Sequence, residues 1–203
     1  MCNDFPPVVW ADAAKDTMNS PNHPAVPGWL QNAREQWQNT GRSRPDFAVV
    51  PEPGQESVWD YPRPPAVVAD TRIVEVRSGD IVIATTTQAI RVLETSHPPS
   101  FYVPPTSLTE GVLVAIPGSS HCEWKGQAEY VALSPADTPI GWRYPSPYAD
   151  FAACAGYVSF YPDAVECRVD GELVRAQAGG FYGGWITNEI VGPFKGETGT
   201  TGW

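Results

Sequence analysis

From residue 72 onward the chain alternates apolar and polar positions with the period of strands. IVEVRSGDIVIA (73–84) reads as two β-branched runs joined by a turn at Ser78-Gly79. ECRVDGELVRA (166–176) repeats the arrangement around Asp170-Gly171, a dipeptide suited to the positive φ angles of a tight hairpin. GVLVAI (111–116), CEWKGQAEYVAL (122–133) and GYVSFYP (156–162) are further strand candidates. TTTQAIRVLE (85–94) fits either a short helix or a continued strand. One helical pattern lies upstream, in PGWLQNAREQWQN (27–39), where Trp29, Leu30, Ala33 and Trp37 share a side. That helix is expected to pack both tryptophans on the main domain. Strands do not alternate with helices, so a parallel nucleotide-binding sheet is not expected.

The pattern contains an echo. WDYPRP (59–64) returns as WRYPSP (142–147). Each copy is followed by a glycine-turn hairpin and then by an aromatic-Lys-Gly triplet, Trp124-Lys125-Gly126 and Phe194-Lys195-Gly196. This order predicts a mostly β fold of two packed antiparallel meanders with few short helices and aromatics between them.

Composition divides the chain. Of 22 prolines in 203 residues, half precede residue 66, so residues 1–55 read as a loosely held, proline-rich extension with one short helix, and 56–203 as a single β domain. A net charge of −10, with only 13 Lys plus Arg and no run of them, argues against a nucleic-acid partner. No apolar stretch is long enough to span a bilayer, and Asp4 stands where a signal peptide would be basic, which points to the cytoplasm. Cys2, Cys122, Cys154 and Cys167 lack the paired spacing of a disulfide framework or zinc site, so no metal is expected and the thiols should be reduced.

Two segments could carry chemistry. In ETSHPPSFYVPP (94–105), prolines stiffen a loop presenting Glu94, His97 and Tyr102, the group types of general acid–base work. The bland alternative is a capping Glu and a structural His. In HCEWKGQAEY (121–130), a regular strand would point Cys122, Trp124 and Tyr130 to one face and Lys125 to the other. Cys122 would then be a small core residue and Lys125 a solvated charge; pairing the two requires irregular backbone between them.

VWDYPRPP, the hairpin leading to IATT, VLETSHPPSFYVPP, CEWKGQAEY, WRYPSP and YVSFYP, in this order, resemble the family known as domain of unknown function 427. The resemblance implies a β-tent-like architecture of two meanders. It does not carry over the zinc-binding cysteine pairs of β-tent relatives, which this sequence lacks. The family also bears a nucleotidyltransferase label, yet the sequence holds no phosphate-binding loop. Together these features predict a small-molecule cleft between the meanders. Glu94, His97, Cys122 and Lys125 are its candidate catalytic residues, and Tyr102, Trp124, Tyr130, Trp142 and Tyr144 its candidate ligand-binding aromatics. The alternatives are a non-catalytic module that cages a small ligand in aromatics, a nucleotidyltransferase, and an interaction protein recruiting partners through its proline-rich segment.

Overall fold

The computed structural model describes residues 23–200, 202 and 203. Cys2 and the first proline-rich stretch lie outside the described residues. The fold is mostly β, built from antiparallel sheets, one short parallel pairing of β1 (Glu56–Ser57) with Ile190 and Val191, and short helical segments.

β3 (Val74–Ser78) and β4 (Ile81–Thr86) form the first hairpin, with Ser78 opposite Ile81. The turn is therefore Gly79-Asp80, one residue beyond the position expected. β11 (Glu166–Val169) and β12 (Glu172–Leu173) form the second, closing through Asp170 and Gly171 at φ of 47° and 81°, as a tight turn of this hand requires. The two hairpins lie side by side in one sheet, because β3 pairs with β11 and sets Val74 against Val169 and Val76 against Cys167. The two glycine-turn hairpins thus meet along a common seam.

β7 (Leu113–Cys122), β8 (Gly126–Leu133), β9 (Gly141–Arg143) and β10 (Val158–Phe160) form a four-stranded antiparallel meander. β2 (Ala66–Asp70), β5 (Ala89–Leu93) and β6 (Ser100–Tyr102) form a three-stranded sheet, so TTTQAIRVLE is strand on both sides of a turn at 87–88. Val103 and Val158 exchange two backbone hydrogen bonds, 2.8 and 3.0 Å, which join this sheet edge to edge with the meander. One face of the joined sheets packs on the paired hairpins through Val76, Ile83, Phe101, Val158, Phe160 and Trp185, all buried. The other face carries Tyr102, Trp124, Trp142, Tyr144 and Phe151, a second and more polar cluster. Adjacent Phe101 and Tyr102 face opposite ways because side chains alternate along a strand.

Two sequence expectations need correction. CEWKGQAEYVAL is not one strand: β7 ends at Cys122, residues 123–125 turn, and β8 begins at Gly126, which pairs directly with Cys122. Gly126 has a φ of +95°, the left-handed conformation that closes a three-residue hairpin loop. The upstream helix, α1 (Gly28–Arg34), stops before Trp37. Trp29 is consequently 67% exposed, and only Leu30 and Trp37 pack inward. Among the described residues no helix is long and apolar enough to cross a membrane.

Trp185 is fully buried, stacked on Phe101 at 4.8 Å, and its Nε1 donates to the Phe160 carbonyl at 3.0 Å. Trp185→Ala removes this packing and leaves that carbonyl without its donor. It is expected to cost about 3–5 kcal/mol, read as a lowered urea midpoint at unchanged m-value.

Candidate functional site

The polar face of the joined sheets is roofed by the turn after β5, the 123–125 turn, the segment that follows α1, and the tail 177–195. Together they border a half-open cavity of about 340 Å³, near the lower end for small-molecule sites.

The 123–125 turn supplies the cavity's central pair. Cys122 ends β7 and Lys125 precedes β8, so the reversal brings both side chains to one wall. Cys122 is partly exposed, whereas Lys125 is only 7% exposed. Among the described residues Lys125 Nζ makes no hydrogen bond or ion pair; it lies over the rings of Tyr144 and Phe151 at 5.7 and 5.8 Å. Burial acts to strip its proton, but the acidic groups around it, Cys122 first and then Tyr102 and Glu94, hold its pKa above the usual lysine range. Burial first, and then the neighbouring Cys122, pushes the Tyr144 phenol well up, so it stays a proton donor.

The turn after β5 supplies the second group. His97 N–H donates to the Glu94 carbonyl at 3.0 Å, which brings both side chains to the cavity. His97 Nδ1 lies 3.0 Å from the Thr95 carbonyl. A carbonyl can only accept, so Nδ1 carries the proton and Nε2 keeps a lone pair. Burial lowers the His97 pKa, with Glu94 opposing in part. Glu94 itself is held in place: Oε1 accepts from Trp124 Nε1 at 3.2 Å and pairs with Arg63 Nε at 3.3 Å.

Eight of the nine residues singled out from sequence line this one cavity. Tyr130 does not. It sits opposite Trp142 and near Gly118, further along β8 and past the cavity's edge. Trp142 Nε1 donates to Tyr102 Oη at 3.3 Å, and its ring lies 4.6 Å from that of Tyr161, giving the aromatic floor.

Sequence reasoning missed Trp37, Gln177, Tyr182 and Lys195, which also line the cavity. A signal for Lys195 existed in the second aromatic-Lys-Gly triplet. Both triplet lysines are 7% exposed, both following glycines have positive φ, and both side chains reach the same cavity. Lys195 Nζ donates to the Trp203 carbonyl at 2.6 Å and lies 4.7 Å over the Trp37 ring. Among the described residues no group of three or more His, Cys, Asp or Glu is arranged to hold a metal ion.

The family model described as domain of unknown function (DUF427) matches residues 66–174, more than half of the chain. The chain belongs to the DUF427 family. The matched span contains Glu94, His97, Tyr102, Cys122, Lys125, Trp142 and Tyr144, so the DUF427 region provides the floor and the central pair. Trp37, Arg63, Gln177, Tyr182 and Lys195 fall outside it. No curated protein matches the chain.

His97 titrates lower in the folded protein than in the unfolded chain, where an imidazole titrates near 6.5. The unfolded state therefore takes up the proton first as pH falls, and stability is lost below about pH 6.5 until the folded pKa is reached. Urea titrations from pH 7 to 5 are expected to show a smaller acid loss for His97→Gln than for the parent. Equal losses would mean that His97 is charged in the fold.

Proposed function

We propose that the DUF427 cavity is the active site of an enzyme that transforms a small electrophilic molecule through Cys122. The observation that carries this reading is the pairing, across the 123–125 turn, of an accessible thiol with a buried ammonium that has no carboxylate partner among the described residues. A buried charge without a counter-charge is costly, and a thiolate beside Lys125 supplies one.

In this reading the Cys122 sulfur reacts as its thiolate, the nucleophilic form of a thiol, with the Lys125 ammonium on the same wall as its counter-charge. The sulfur bonds to an electrophilic carbon and expels a leaving group as an anion. His97 Nε2 takes a proton from a water, and the resulting hydroxide attacks the same carbon. The sulfur leaves as thiolate, and the imidazolium passes its proton to the expelled group. Glu94, held by Trp124 and Arg63, acts in this reading as a positioning residue. Tyr102 and Trp142 form an apolar floor for the substrate's body.

The test is site-resolved alkylation. Limiting iodoacetamide at neutral pH is expected to label Cys122 before Cys154, whose thiol burial pushes up to about 11, and before buried Cys167. Lys125→Met should slow Cys122 labelling by about tenfold or more while leaving Cys167, which Lys125 does not influence, unchanged. A Cys122 that reacts only after denaturation, or at the same rate without Lys125, overturns the proposal.

A further inference from the structure

The segment after α1 lies outside the DUF427 match yet forms one wall of the cavity. It is anchored to the turn that carries the central pair. Arg34 Nε donates to the Glu123 carbonyl at 2.9 Å, its Nη2 bonds the same carbonyl and that of Trp124, and its guanidinium lies 4.9 Å over the Trp124 ring. Three residues on, Trp37 Nε1 donates to Glu123 Oε1 at 3.0 Å. The Trp37 indole is flanked by two cations, Arg63 at 4.2 Å and Lys195 at 4.7 Å from its ring. Cation–π contacts of this kind fix a ring in orientation and strengthen as water is excluded. Arg63 comes from the first W-x-Y-P-x-P motif and Lys195 from the tail, so Trp37 is pinned between segments distant in sequence.

We infer that Trp37 is the specificity-determining wall of this site, admitting to Cys122 only small electrophiles of about single-ring size, and that this limit belongs to the amino-terminal segment of this chain rather than to the DUF427 region. The inference rests on the reading of Cys122 as the reactive thiol. A rigid indole bound on three sides excludes by shape, and removing it adds volume without touching Cys122, Lys125 or His97. Arg34 acts further back, holding the segment against the turn.

The experiment compares two thiol probes on the full chain: iodoacetamide, which is small, and N-(1-pyrenyl)maleimide, which is bulky. The readout is the ratio of their rates at Cys122 by peptide mapping. In the parent protein the bulky probe is expected to lag. Trp37→Ala should raise the bulky-to-small ratio by about tenfold, the change that one large side chain in a pocket commonly makes. Arg34→Ala, a change on a partly exposed side chain, should raise it in the same direction by releasing the segment. Equal acceleration of both probes in both variants would mean general loosening, and an unchanged ratio would mean that the wall lies elsewhere; either overturns the inference and leaves the Cys122 proposal standing. A Cys122 silent to iodoacetamide in the parent but reactive in Trp37→Ala overturns the inference as stated, because the wall is inferred to admit a probe of that size. Silence in the parent and in both variants overturns the wall and the nucleophile together.

Discussion

Arg63 is the point through which the separate parts of the cavity are tied. Its side chain is almost wholly buried, pairs with Glu94 at 3.3 Å, donates to the Thr95 carbonyl at 2.8 Å and the Asn39 carbonyl at 3.2 Å, and faces the Trp37 ring. A guanidinium out of water must keep its partners, because removing one side of such a pair leaves an uncompensated charge at a cost on the order of 3–5 kcal/mol. That demand fixes Glu94, Glu94 fixes the Trp124 indole, and Trp124 belongs to the turn between Cys122 and Gly126. The planar, forked geometry of arginine suits this many-sided role, which a lysine could not fill.

The chemistry above this hub is arranged by burial more than by direct contacts. Tyr102 and Tyr144 are held as neutral phenols by exclusion of water, and His97 as a neutral imidazole. Lys125 differs, because a ring of acidic groups outweighs its burial and keeps it charged. The cavity therefore sets phenol donors and the His97 acceptor nitrogen beside two lysines, Lys125 and Lys195, and the carboxylates of Glu94 and Glu123, in a protein whose overall charge is −10.

What could be read from the sequence follows from the range of the interactions involved. The Asp170-Gly171 hairpin, the strand runs and the residues of ETSHPP that reach the cavity depend on neighbours within a few positions, and those were legible. The turn at 123–125 was not, since Glu, Trp and Lys are poor turn formers and only Gly126 permits the reversal. Reading through it as strand set Cys122 and Lys125 on opposite faces, when the reversal unites them. The helical pattern around Trp29 and Trp37 treated the two tryptophans alike, but α1 ends between them and only Trp37 is captured, by partners that no local pattern encodes. Lys195 was the exception: a distant contributor marked in the sequence because Phe194-Lys195-Gly196 echoes Trp124-Lys125-Gly126.

The β7–β8 hairpin joins Cys122 to Lys125 over three positions, while the contacts that wall them in span far more of the chain, 89 residues from Arg34 and 86 from Trp37 to Glu123. Hairpins of this kind close in microseconds, and long loops close later. During synthesis, residues 177–195 leave the ribosome after the hairpin has already emerged. The thiol and the ammonium are thus joined by the most local contact in the site, and Arg34 and Trp37 are brought to them only by contacts of far longer range.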